Sequence, residues 1–136
     1  MLKSKLYLVL AALGVLALLV GACASEPVSE EKPEGAMTVA ELLANPIYDT
    51  EVTISGTVGA LGELSCPCLE LTSGGETVNV WYDLMVDNDG TERPPVSVQG
   101  MENGDKIIIT GELKGEGGVH YNKGDFWAAE IIEAPF

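Results

Sequence analysis

Apolar and polar residues alternate in five separate runs after position 50. In Glu51–Val58, Val52, Ile54 and Val58 alternate with Thr53, Ser55 and Thr57, the pattern of a half-buried strand. Cys68–Thr72 predicts a second strand, which Ser73, Gly74 and Gly75 end. Thr77–Tyr82 predicts a third, and the short glycine link between the two reads as a hairpin. Lys106–Leu113 and Phe126–Ile132 predict the fourth and fifth. An irregular stretch, Asp83 to Gly104, separates strands three and four, and a glycine-rich loop, Gly115 to Asp125, separates four and five. Upstream, the period changes. Val39, Leu42 and Leu43 fall on one helical face, Thr38 and Glu41 have the spacing of a capping box, and Asn45-Pro46 stops the run. A helix this short must pack on a sheet to persist.

Five short strands with glycine-rich turns predict a mainly β protein: a small five-stranded barrel with a short N-terminal helix, occupying 37–136. An open β-sandwich is the competing architecture. Gly56 and Gly111 interrupt strands one and four in matching contexts, Ile54-Ser55-Gly56-Thr57-Val58 and Ile109-Thr110-Gly111-Glu112-Leu113. A glycine inside a strand marks a sharp bend, as at a barrel corner. This layout resembles the OB-fold. The segment from Ala40 to Val58 is similar to the helix-then-strand opening of the extracytoplasmic and tRNA-anticodon-like OB families, and Val96 to Gly111 resembles their approach to strand four. The resemblance implies binding surfaces on strands two and three and on the loops joining strands one–two and four–five.

Before the domain lie two segments of different character. Lys3 and Lys5 precede an uncharged run of 17 residues, Leu6 to Ala22, which closes on Gly21-Ala22 and is followed by Cys23. A spanning helix needs about 20 apolar residues, and small residues at this place mark a processing site. Leu19-Val20-Gly21-Ala22-Cys23 resembles the lipobox of bacterial lipoproteins. That resemblance implies a signal peptide at 1–22, cleavage before Cys23, a diacylglyceryl thioether on Cys23 and acylation (palmitate or a similar chain) of the new terminus. Residues 23–36 then form an acidic tether, with Pro27 and Pro33 blocking regular structure and Glu26, Glu30, Glu31 and Glu34 repelling one another. The expected location is the extracytoplasmic side of a cell membrane, held by the lipid.

Charge narrows the partners. The 136 residues carry 21 Asp+Glu against seven Lys+Arg, a formal charge of −14. The leader holds two of the lysines and no acid, so cleavage takes the charge to −16 over the 114 residues that remain. Such a chain lacks the cationic track that phosphate binding requires, which excludes nucleic acid as a partner. Anionic headgroups repel it, so the domain stands off the bilayer on its tether.

Candidate chemistry is sparse. Cys66-Pro67-Cys68 falls in the loop between strands one and two, and His120-Tyr121 in the loop between strands four and five. On an OB barrel these loops rim one cleft. Three readings of the cysteine pair stand side by side. An oxidising compartment favours a disulfide, although extended residues two apart place their Cα atoms about 6.6 Å apart, near the limit for a bridge. Two thiolates with His120 would suit a soft metal ion, Cu or Zn, with Tyr121, Met101 or a carboxylate completing the set. In the third reading Cys68 is a small core residue and Cys66 a loop thiol. A lone histidine in a glycine-flanked loop is ordinarily solvated. The His-Tyr pair resembles that of periplasmic OB haem chaperones, but it precedes the fifth strand instead of following the barrel. Trp81, Tyr82, Tyr121 and Trp127 are the candidate ligand-stacking residues. Asp87-Asn88-Asp89-Gly90 fails the EF-hand register and reads as a turn. No phosphate loop, nucleophile elbow or zinc-helix motif is present, so no enzyme is expected. The expected function is a non-catalytic extracytoplasmic binding module for a protein or small molecule. The alternative is soft-metal or thiol-redox handling through Cys66, Cys68 and His120.

Overall fold

The structure, a computed structural model, describes residues 32–133. The leader, the lipobox with Cys23 and most of the tether lie outside the described residues. A two-residue strand β1 (Met37–Thr38) leads into helix α1 (Val39–Ala44). Strands β2 (Glu51–Gly59), β3 (Cys68–Ser73) and β4 (Glu76–Trp81) follow. A small hairpin, β5 (Met85–Val86) and β6 (Glu92–Arg93), precedes β7 (Lys106–Leu113) and β8 (Phe126–Glu133).

Five of these strands close a barrel in the order β2-β3-β4-β8-β7, with β7 returning to pair with β2. All contacts are antiparallel except β4 with β8, which meet in parallel through Val80–Phe126 and Trp81–Trp127. The domain is thus mainly β, a five-stranded closed barrel with one short helix and an OB-like strand order. Alternation explains the sidedness. Ile107, Ile109 and Leu113 point inward from β7 and Leu69 and Leu71 from β3, all fully buried.

The helix plugs the barrel. Val39 and Leu42 are fully buried in the main core. Its start is tied down twice: Thr38 Oγ1 accepts from Glu41 N at 3.1 Å, and Ser73 Oγ accepts from Val39 N at 2.7 Å while donating to Ser55 O at 2.6 Å. The buried Ser73 hydroxyl therefore satisfies an orphan amide of α1 and joins it to both β2 and β3. Glu41 also pairs with Lys32, and that hydrogen bond draws its carboxyl below the usual range.

Three two-residue strands, β1, β5 and β6, escaped the sequence pattern. The stretch 83–104, expected to be irregular, holds the β5–β6 hairpin, because the Asp87–Gly90 turn closes with Gly90 N donating to Asp87 O and Asp87 N donating to Thr91 O. Two-residue strands are too short for an alternation signal. β4 ends at Trp81, one residue short of the predicted Thr77–Tyr82, and Tyr82 is half-buried against the main core.

Gly56 and Gly111 both sit where chains approach closely. A Cβ on Gly56 would stand 2.6 Å from Thr72 O. Gly111 lies at the β-bulge between Thr110 and Gly111, and a Cβ there would collide with the Trp127 carbonyl. Gly111→Ala should therefore lower the unfolding free energy by about 3 kcal/mol through overpacking. Urea denaturation would show this as a lower midpoint with an unchanged slope, and an unchanged midpoint would refute it.

Candidate functional site

A cleft of about 740 Å³ opens where β4 ends and β8 begins. Three connections wall it: the loop 60–67 with Ser65, Cys66 and Pro67, the β5–β6 hairpin with Met85 and Asp87, and the loop 114–125 with His120 and Tyr121. Its floor is a second apolar cluster, separate from the main core, made of Cys68, Trp81, Met85, Tyr121 and Trp127.

The first wall is fixed covalently. Cys66 and Cys68 are bridged, with Cα atoms 5.3 Å apart. A tight turn at Pro67, in which Cys68 N donates to Cys66 O at 2.8 Å, shortens the extended spacing. Cys68 is fully buried, whereas Cys66 lines the cleft. A bridge across so small a ring removes little unfolded-chain entropy, about 1.5 kcal/mol, so its main effect is local. It holds one wall to the floor.

The opposite walls meet at a buried ammonium. Lys114 follows β7, and only 5% of its side chain is exposed. Its Nζ lies 3.1 Å from both Asp87 Oδ2 and Asp49 Oδ1, and 4.3 Å from the centroid of the Trp127 ring. Burial opposes its charge, but the bonds to Asp87 and Asp49 prevail and raise its pKa above 10.5. Burial likewise opposes ionisation of Asp87, and the Lys114 hydrogen bond outweighs it, so its pKa lies below 3.8. Tyr121 donates its hydroxyl to Asp87 Oδ1 at 3.4 Å and meets Trp127 edge-to-face at 4.7 Å. Burial, then the Asp87 charge, holds its phenol un-ionised by pushing the pKa up.

Trp81 is anchored by its indole N–H, which donates to the buried Asp125 at 2.9 Å. Asp125 also accepts from Asn122 N, fixing the turn before β8. The Trp127 indole N–H is buried without a partner among the described residues.

The structure therefore brings Cys66, Trp81, His120 and Tyr121 to one cleft. Cys68 and Trp127 lie beneath it, Tyr82 and Met101 pack on the main core, and His120 is exposed at the mouth. With both sulfurs in the bridge, neither is a thiolate. Among the described residues no three His, Cys, Asp or Glu side chains converge as a metal set. Leu84, Val86 and Val119, which line the cleft, carried no chemical signal in the sequence. Nor did Lys114, one lysine following one of five similar strands. Asp87 drew attention only as part of a turn.

Beside the cleft runs a smaller groove of about 260 Å³, which shares Asp87, Asn88 and Tyr121 with it. Asp49, Asp89, Glu112 and Glu116 face that groove with Arg93 and Lys114. Arg93 is paired with Glu112.

Fold and site together define a closed OB-like barrel with a preformed apolar cleft at one end. The chain matches no known protein-family model and no curated protein. Among solved structures, the hypothetical protein YgiW of E. coli is similar, with 19% identity over 81% of this chain and 100% of that one, at a TM-score of 0.45.

The ion cluster sets a pH test. Asp87 stabilises the fold above its unfolded pKa, and that contribution is lost as pH falls through the lower folded value. Lys114 stabilises below 10.5, and its contribution is lost only as pH rises past the folded value. Lys114→Met should cost about 2 kcal/mol at neutral pH, less than the roughly 3–5 kcal/mol of a fully buried broken pair because Asp49 is half exposed. Urea denaturation between about pH 2 and pH 7 should show a steeper acid loss in the wild type than in the variant. Parallel curves would mean that the cluster does not form.

Proposed function

We propose that this chain is a lipid-anchored, extracytoplasmic binding module without catalytic activity, and that the cleft is its binding site. The observation that carries the reading is the exposed apolar rim of a cleft whose walls are already fixed. Of the six large apolar side chains exposed among the described residues, Leu84, Val86 and Val119 all line it, and Val119 is 89% exposed. Scattered single apolar residues need no explanation, but three around one apolar concavity mark a binding surface. A disulfide on one side and a buried ion cluster on the other limit the ordering that a ligand must impose.

Placement supports the same reading. Helix α1 lies against the Ser73–Gly74 end of the β3–β4 hairpin, since Ala40 and Thr38 crowd Gly74. The cleft lies at the other end, where Cys68 pairs with Trp81. Six-residue strands put about 17 Å between the two. A tether that enters on the α1 side would thus leave the cleft, at the opposite end, clear of the attachment.

Two measurements test the proposal. In an amide and indole NMR titration, neutral indole should shift the Trp81 side chain and the backbone of Cys66, Met85 and Val119 to Tyr121. Shifts elsewhere, or none, would remove the cleft as the site. In cells, Cys23→Ser should move the protein from the membrane to the soluble fraction, and continued membrane retention would exclude the lipid anchor.

A further inference from the structure

The cleft and the groove beside it have opposite characters. The cleft is apolar, and its one carboxylate, Asp87, is committed to Lys114 and Tyr121. The groove carries five carboxylates against two cations, and both cations are already paired within it. Among the described residues no cation pairs with Asp89 or Glu116, and both side chains are exposed. The two compartments are continuous through Asp87, Asn88 and Tyr121.

A ligand filling both compartments needs an apolar part and a cationic part. The unpaired carboxylates are not on the cleft walls but across the shared edge, in open solvent. A compact organic cation would need its charge beside its apolar body, inside the cleft, where Lys114 already neutralises Asp87. An extended chain has no such conflict, because anchor and charge sit on different residues. The open apolar rim, with Val119 almost wholly solvated, also suits a segment lying across the mouth. A second copy of this chain is disfavoured by its own charge of −14. We infer that the occupant is a segment of a basic partner protein, with an aliphatic or aromatic residue seated in the cleft and a neighbouring Lys or Arg over Asp89 and Glu116. This inference rests on the cleft being the binding site.

The test uses three blocked tetrapeptides and isothermal calorimetry on the soluble domain: Lys-Leu-Trp-Lys, Glu-Leu-Trp-Glu and Lys-Gly-Gly-Lys. The first should bind about tenfold or more tighter than either control, since it alone has both the apolar and the cationic element. Raising the salt should weaken it about threefold, as expected for exposed charges. Leu84→Ser with Val119→Ser should weaken it about tenfold, and both positions are exposed, so the fold is spared. Asp89→Asn with Glu116→Gln should remove most of the salt dependence. The Asn keeps the acceptor that Asp89 offers to Thr91 N.

Equal binding of the acidic peptide would overturn the inference, as would equal binding of the glycine peptide. So would dimers that bury the cleft in sedimentation. Failure of Lys-Leu-Trp-Lys while indole still shifts Trp81 would remove the basic partner and leave the cleft as a site for something else. Failure of both would remove the binding reading itself.

Discussion

The cleft end of this barrel depends on one buried ammonium. Lys114 sits where β7 gives way to the 114–125 loop, and its charge is unaffordable there unless partners surround it. They come from three separate stretches: Asp49 before β2, Asp87 in the β5–β6 turn, and the face of Trp127 on β8. The end of β7 already holds two of them, since Asp49 N donates to Leu113 O and Trp127 pairs with Glu112, but no sheet pairing reaches the third. The hairpin of β5 and β6 pairs only with itself. The ammonium thus ties the hairpin to the barrel, a join that sheet pairing does not supply. Tyr121 extends the join, because its hydroxyl reaches the same Asp87 whose other oxygen holds Lys114.

This division between barrel and cleft follows from the geometry of closure. β4 and β8 pair in parallel through two residue pairs only, both at the start of β8. The main core fills the barrel below that seam, and Phe126 belongs to it. Trp127, one residue on, faces the other way and belongs to the second cluster. The alternation of a strand therefore assigns adjacent aromatics to two different cores. Trp81 on β4 does the same beside Val80. The cleft is a second apolar surface on the outside of the barrel, roofed only in part by loops.

The barrel was legible because its signals are local. Period-two runs located all five long strands, Thr38 and Glu41 located the helix, and two glycines marked where strands bend against a neighbour. The resemblance to the OB-fold, not any local spacing, put Cys66 and His120 on loops that rim one cleft. What stayed hidden has no local signature. Lys114 and Asp87 are 27 positions apart, and nothing in either neighbourhood marks a buried ion pair. The β5–β6 hairpin is two residues deep, below the length at which alternation means anything. Leu84, Val86 and Val119 matter only because they are apolar and exposed together, and exposure is a property of the folded molecule.

The most exposed of these, Val119, shows how the loop sequence produces the surface. Gly117-Gly118-Val119-His120-Tyr121 closes tightly, with Gly118 N donating to Tyr121 O at 3.0 Å. The Tyr121 ring folds under this turn, and any Cβ on Gly118 would collide with it. The tyrosine has taken the inward place, where burial against Trp127 and a bond to Asp87 reward it. Within so tight a turn the intervening side chains have no inward place left, so Val119 and His120 project over the cleft mouth. Glycine at 118 thereby links backbone geometry to the shape of the cleft mouth. It lets an aromatic ring anchor the loop from below while an apolar residue is presented above, at the free-energy cost of leaving Val119 in water.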